Sequence, residues 1–405
     1  MNVLFISPGF PAEMPFFARG LAEVGAAVIG IGDQPESMLP ETARRALSAY
    51  FQLERLWDEE TVVAEVRRIT MIGRIDRVEC LWEPGMVLAA RIREALGVPG
   101  MSVTETIPFR DKEDMKRVLD GAGIRTPRHH RAASEAAVRG AAEDVGYPLI
   151  VKPIAGAGSA DTHRVDSGAE LDDVLPKIRH VPQVSVEEFI EGTEYTYDTV
   201  CADGRILMEN ISWYRPRPLI GRTLQWVSPQ TICLRNLDRP EIQPGREMGR
   251  VVLDALGFRT GFTHMEWFLT DSGEAVFGEI AARAPGAKSV DVMNFTADAD
   301  MFTGWAEAVV HGSLTQDLTR SYNAAVIFKR ARGEGRIRRI EGLERLMGGF
   351  GRHVTGVDLL PVGAHRRDWR ATLLSDGWVF LRHPDLQTTL EMADRVGTDL
   401  QIFAE

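Results

Sequence analysis

Thr263-His264-Met265-Glu266-Trp267-Phe268-Leu269, then Thr270-Asp271-Ser272-Gly273, then Glu274-Ala275-Val276-Phe277-Gly278-Glu279-Ile280: this stretch decides where the chain folds back and where its chemistry sits. Both arms alternate β-formers around a turn containing Asp, Ser and Gly, the local signal for an antiparallel hairpin. A turn centred on Ser272-Gly273 predicts Phe268 opposite Phe277 and Glu266 opposite Glu279, the two glutamates on one side of the sheet. Directly opposed like charges work against pairing. At ~5 Å and an effective dielectric near 20 the repulsion is on the order of 3 kcal/mol before solvent relaxes. A hard cation such as Mg²⁺ reverses that sign, because it takes oxygen ligands and joins one or two carboxylates to phosphates. A solvated hairpin edge with a shifted register explains the same residues without a metal. His264 shares the face of Glu266, where it orients that carboxylate or fills a polar gap.

Upstream, a unit opens near Val103. Asp111 is placed to cap a helix with Asp114 three residues on, and Met115, Val118 and Leu119 form its apolar face. Lys112 then falls in the first turn, where a cation opposes the helix dipole and needs solvent or an anion. Ser134 to Val145 reads as a second capped helix, and Pro148-Leu149-Ile150-Val151-Lys152-Pro153 as a strand that delivers Lys152 to its end. The next residues, Ile154 to Asp161, are small and Gly-rich. Converging backbone N–H groups beside a lysine suit a phosphate, although an ordinary turn has the same composition. A Walker A loop is excluded, because Gly-Lys-Ser/Thr is missing and a strand at Thr162 to Val165 follows. Val184 to Asp198 reads as strand, turn, strand, with the main chain of Glu188 to Ile190 placed for an adenine edge and Glu194 for a ribose hydroxyl. A solvated acidic turn is the alternative.

The first hundred residues alternate strand and helix: strands at Val3 to Ile6, Ala27 to Ile31 and Val78 to Trp82, helices at Phe16 to Val24, Thr61 to Ile69 and Met86 to Leu96. Such alternation implies a parallel, doubly wound sheet. The first turn, Ser7-Pro8-Gly9-Phe10-Pro11, lacks G-x-G-x-x-G, so no dinucleotide site is expected. The net charge of -11 argues against nucleic acid as a partner. Cys80, Cys201 and Cys233 form no C-x-x-C, so a reducing cytoplasm fits best. The N-terminus starts at once as a buried strand, and no run of about 18 apolar residues marks a membrane span.

Taken in order, these pieces resemble the ATP-grasp superfamily, and within it the biotin-carboxylase-like branch that includes carboxylate-amine ligases such as L-amino-acid ligases. The resemblance rests on Arg110-Asp111-Lys112, on Lys152 with the Gly156 to Ser159 loop, on the hinge from Glu187 to Glu194, and on Glu266 and Glu279 ahead of Arg283. It implies an α/β Rossmann-like N-terminal domain over 1–104, then an α+β ATP-grasp fold with subdomains at 105–186 and 187–320, then a C-terminal α+β lobe over 321–405. It also implies that Lys112 and Lys152 contact ATP phosphates with Gly156, Gly158 and Ser159 folded over them. Glu187 would reach the adenine amino group, Glu188, Phe189 and Ile190 would supply hinge contacts, and Glu194 would bind ribose. Glu266 and Glu279 would hold Mg²⁺ or Mn²⁺, and Arg283, with Lys152, would stabilise the transferring phosphoryl group. Where the family commonly has a metal-ligating Asn, this chain has Ala281, which has no donor atom.

Substrate candidates are Trp213, Arg215 and Arg217, in an aromatic and arginine-rich stretch that reads equally as a Pro-stiffened loop, and Gly286, beside Arg283. The resemblance implies a ligase that joins a small-molecule carboxylate, such as an amino acid, to an amine through an acyl phosphate. The alternatives are a bicarbonate-activating carboxylase and a catalytically silent nucleotide-binding regulator. Neither nucleic acid nor membrane is expected as a partner, and a homodimer is the candidate assembly. Toward the C-terminus, Asp300 to Val310 reads as a helix, Ala324 to Phe328, Thr372 to Leu374 and Trp378 to Leu381 as strands, and Leu386 to Val396 as a helix.

Overall fold

The computed structural model describes residues 1–71, 73–156, 161–372 and 374–405. Its first sheet grows from the apolar run Val3 to Ile6. Strand β1 (Asn2–Ile6) lies parallel to β2 (Ala27–Gly32), β3 (Leu47–Gln52) lies parallel to β2, and β4 (Arg77–Glu79) parallel to β1, in the order β3-β2-β1-β4. Sequence alone misses β3, because it is half exposed along its length and carries no apolar run. Alternation sends Leu4 and Ile6 toward the helices Glu59–Thr70 and Met86–Leu96. Val3 and Phe5 face the helix Met14–Glu23 and, from far along the chain, Phe302 and Trp305 of the helix Met301–His311. Phe17 meets Trp305 edge to face at 5.3 Å. Burial of such rings at ~25 cal/mol per Å² fastens the first sheet to the rest of the molecule.

The second sheet is antiparallel: β5 (His129–Ala132), β6 (Leu149–Pro153), β7 (His163–Val165) and β8 (Val184–Glu188), ordered β5-β8-β6-β7. Helices Glu135–Val145 and Gly168–Val174 cover one face through Val138, Leu171 and Val174. The helix Lys112–Gly121 starts where expected, with the Asp111 carboxylate accepting from the N–H groups of Glu113 and Asp114, both at 3.0 Å.

The remaining strands are β9 (Thr193–Ala202), β10 (Arg205–Arg215), β11 (Gln230–Cys233), β12 (Gly261–Leu269), β13 (Ala275–Ala281), β14 (Asn323–Phe328), β15 (Arg332–Gly333), β16 (Ile337–Glu341), β17 (Val354–Leu359), β18 (Gly377–His383) and β19 (Gln401–Ala404). Eight of them form one antiparallel sheet, β13-β12-β9-β10-β11-β14-β18-β17. Strands β14 and β18, expected in a separate C-terminal module, and β17, not expected as a strand, therefore complete the sheet that carries the hairpin, while β15, β19 and β16 form a small sheet of their own among the described residues. Thr372 and Leu374 are not in a strand, and Leu373 lies outside the described residues. Among the described residues no helix is long and apolar enough to cross a membrane.

The hairpin register corrects one expectation and keeps another. Phe268 pairs with Val276 and Trp267 with Phe277, so the expected Phe268–Phe277 pair does not form. The turn closes one residue tighter, with Gly273 N–H donating to the Thr270 carbonyl at 2.9 Å and Gly273 at φ 84°. A bulge between Glu266 and Trp267 then restores the frame, and Glu266 does stand opposite Glu279. The extra residue is Gly278, whose hypothetical Cβ would sit 2.7 Å from the Glu266 carbonyl oxygen, so no side chain fits there.

Candidate active site

A cavity of ≈ 500 Å³ lies between the second sheet, the large sheet and the loops at the C-terminal edge of the first. That volume suits a nucleotide-sized ligand. Strand ends deliver its charge: Lys152 from β6, Glu187 from β8, Glu194 from β9, Glu266 from β12 and Glu279 from β13 all line it, as does Lys112 from the start of its helix.

These charges form an alternating chain. Lys112 Nζ is 3.3 Å from Glu279 Oε2 and donates to the Gly156 carbonyl at 2.9 Å. Lys152 Nζ is 4.0 Å from Glu279 Oε2 and 2.9 Å from Glu187 Oε2. Lys116, fully buried and unforeseen in the sequence reading, pairs with the other Glu187 oxygen. Burial on its own would raise Glu279, but Lys112 and Lys152 override it and hold the carboxyl at about 2. Burial likewise opposes the charges of Lys152 and Glu187; their mutual attraction wins, holding Lys152 above the usual lysine value and Glu187 well below the usual carboxylate range. The repulsion expected across the hairpin is thus offset on one side by lysines. On the other side His264, 3.6 Å from Glu266 and 2.6 Å from Asp198, is raised to about 9 because these carboxylates outweigh burial.

Arg283 reaches Glu83 Oε2 through Nε at 3.0 Å and Nη2 at 2.6 Å, and Arg110 pairs with the other Glu83 oxygen. Glu83 is 8 % exposed and comes from the turn after β4. Its only sequence signal is an acidic residue just past a strand of a parallel sheet, where such folds tend to place functional groups.

Several expected residues land elsewhere. Glu187, read for the adenine amino group, has both oxygens engaged by Lys116 and Lys152. Glu188 lines the cavity but is tied to Arg125 at 3.1 Å. Phe189 and Ile190 line it, and Arg217 occupies their neighbourhood: its guanidinium lies 4.8 Å from the Phe189 ring and 4.7 Å from the Phe268 ring, and its Nη1 donates to the Ile190 carbonyl at 2.9 Å. Glu194, 3.3 Å from Arg217 Nε, is raised to about 8 by burial and then by Glu266. Trp213 and Arg215 are turned away from the cavity, because alternation along β10 puts Tyr214 into it instead; Arg215 bonds Gln230 and Asp394. Gly286 lines the cavity, whereas Gly158 and Ser159 lie outside the described residues.

Among the described residues no three His, Cys, Asp or Glu side chains form a ready-made metal cage. Glu266 and Glu279, opposed and both facing the cavity, fit Mg²⁺, which completes its shell with phosphate oxygens and water. Ala281, paired with His264, adds no ligand.

Residues 109–212 match the family model described as the ATP-grasp domain. The chain is 26% identical to the L-arginine-specific L-amino acid ligase of Bacillus subtilis over 257 residues, 59% of this chain and 61% of that protein. It is 27% identical to the alanine–anticapsin ligase of Bacillus subtilis over 285 residues, 62% of this chain and 60% of the relative. The chain thus spans about three fifths of the curated relatives it matches. The crystal structure of L-amino acid ligase from Bacillus licheniformis superposes with a TM-score of 0.79 at 21% identity, covering 100% of this chain and 98% of that one.

Proposed function

From the premise that this chain belongs to the ATP-grasp superfamily, we propose that it is an ATP- and Mg²⁺-dependent ligase that joins a carboxylate, most simply an amino acid, to an amine through an acyl phosphate. The observation that carries this reading is the exchangeable charge chain Lys112–Glu279–Lys152–Glu187 beside Glu266 and Arg283. In the free protein each lysine is held by a glutamate. When triphosphate enters, Lys112 and Lys152 turn to its oxygens and release Glu279, which with Glu266 would hold the metal. Bound Mg²⁺ would neutralise charge on the phosphates. A swap of partners costs far less than burying any one of these charges alone.

In this reading the main chain of Glu188 to Ile190 meets the adenine edge, Glu194 the ribose, and Gly156, Gly158 and Ser159 the phosphates. Arg217 must give up the Ile190 carbonyl as the base enters. A substrate carboxylate oxygen then attacks the γ-phosphorus and ADP leaves; Arg283, aimed by Glu83, stabilises charge on the transferred group. The amine nitrogen attacks the acyl carbon, inorganic phosphate departs with the C–O electron pair, and the amine loses its proton. The protein contributes positioning and a preorganised field. In this reading residues 1–104 form a Rossmann-like domain, which the parallel first sheet supports, followed by ATP-grasp subdomains over 105–186 and 187–320 and a C-terminal lobe over 321–405.

Purified protein incubated with ATP, Mg²⁺ and pooled amino acids should release phosphate only when both an acid and an amine are present. Release that depends on bicarbonate instead would make it a carboxylase, and ATP binding without turnover a regulator.

A further inference from the structure

One wall of the cavity carries two guanidinium groups without an ion-pair partner among the described residues. Arg330, two residues beyond β14, is 7 % exposed. No carboxylate of the described residues makes an ion pair with it. Its Nη1 donates to the carbonyls of Gly221 at 2.7 Å and Leu224 at 3.0 Å, its Nε is 3.4 Å from Ser375 Oγ, and the guanidinium lies 4.5 Å from the Trp369 ring. Nη2 has no hydrogen-bond partner among the described residues, and the side chain lines the cavity. Arg222, in the helix Pro218–Thr223, lines the same wall. It donates through Nη1 to the Arg370 carbonyl at 3.1 Å, and its other donors are unpaired among the described residues. Burial, followed by the charge of Arg222, pushes Arg330 down to about 10, and burial lowers Arg222 too. Asp376 pulls the other way only from a distance, since its oxygens accept from the N–H groups of Ala331 and Arg367, both at 2.7 Å.

Fastening the carbonyls of Gly221 and Leu224 needs Nη1 alone. It explains neither the free Nη2 nor a second guanidinium beside it. Two desolvated cations without a counter-ion are unfavourable, and a planar anion that accepts from both forks reverses the sign. We propose that the Arg222–Arg330 wall is a second anion subsite of the cavity, which takes a carboxylate or phosphate carried by a substrate. Its role in catalysis rests on the ligase reading above. Arg283 already has Glu83 as its counter-ion, whereas Arg222 and Arg330 have none among the described residues, so the unneutralised donors lie on this wall.

Binding measured by calorimetry and thermal shift, with and without MgADP, tests this directly. The probes are glutarate against glutaramide for an anion on the acid substrate, triglycine against its C-terminal amide for one on the amine substrate, and inorganic phosphate. The anionic member of at least one pair, or phosphate, should bind, with at least a tenfold preference over the neutral partner. Arg330→Gln and Arg222→Gln should each remove that preference while MgADP still binds. Arg222→Gln, at a half-buried position, keeps the test alive if Arg330→Gln fails to fold. Equal binding of charged and neutral members with no phosphate binding, or a preference that survives both substitutions, overturns the proposal. Because no turnover is read, a protein that binds these anions but makes no amide refutes the ligase reading alone.

Discussion

The two ends of the cavity treat buried charge in opposite ways. Around Glu279 every cation has an anion within reach: Lys112 at 3.3 Å, Lys152 at 4.0 Å, and Glu187 beyond it. At the far wall Arg222 and Arg330 have no carboxylate of the described residues in an ion pair. Even adjacent residues differ. The Lys329 ammonium faces away from the cavity and donates to Ser228 Oγ at 2.8 Å and to the Val396 and Gly397 carbonyls at 3.1 and 2.7 Å, closing the helix Leu386–Asp399, while Arg330 lines the cavity. The lesson concerns what each end is ready for. A neutralised chain can trade partners with triphosphate and metal at small net cost, whereas an unneutralised pair gains only when an anion arrives.

The sharpest way to break the comparison is to remove a link of the chain. Lys152→Ala and Glu279→Gln should each lower kcat/KM by about 10³-fold or more, roughly 4 kcal/mol of transition-state stabilisation; an unchanged rate in either would sink the site assignment. Glu83→Gln leaves the nucleotide chain intact but loosens Arg283 and Arg110. It should cut single-turnover phosphoryl transfer by about 10²-fold with MgADP affinity preserved, and a loss of MgADP affinity instead would place Glu83 in nucleotide binding. Arg217→Ala removes the bond to the Ile190 carbonyl and the contacts with Phe189 and Phe268 that the base must displace. ATP should bind about tenfold tighter, about 1.4 kcal/mol, and weaker binding would show that Arg217 itself holds the nucleotide.

The smallest effect concerns Lys329, lowered to about 7 by burial and then by Arg332. Its folded pKa lies below its unfolded value, so between about pH 7 and 10 the unfolded chain binds more protons and stability rises with pH. The stability difference between wild type and Lys329→Met should move in favour of wild type by about 1 kcal/mol per pH unit across that window. A difference that stays flat in denaturant titrations would mean the ammonium is not strained where it sits.

Much of this was legible locally. The Asp111 cap, which puts Lys112 in the first turn, and the strand that ends at Lys152 follow from short-range pattern, as do the opposed glutamates. The glutamate pairing came out as expected although the turn and the Phe268 register did not, because the Gly278 bulge compensated for the tighter turn. Trp213 and Arg215 do not line the cavity for a physical reason: the arginine-rich stretch is the end of a strand, and alternation gives the cavity to Tyr214. No local pattern marks Glu83, Lys116 or Arg330. Each acquires its role from a residue far along the chain: Glu83 from Arg283, Lys116 from Glu187, Arg330 from the helix that carries Arg222.

The sequence by itself determined many of the elements, the Asp111 cap and the opposed glutamate pair, since periodicity and capping act over a few residues. Only the tertiary structure decided which charges are neutralised and which are left waiting. Whether a buried charge is stable depends on desolvation and on partners brought in by packing, and neither is set within a turn of helix or a length of strand.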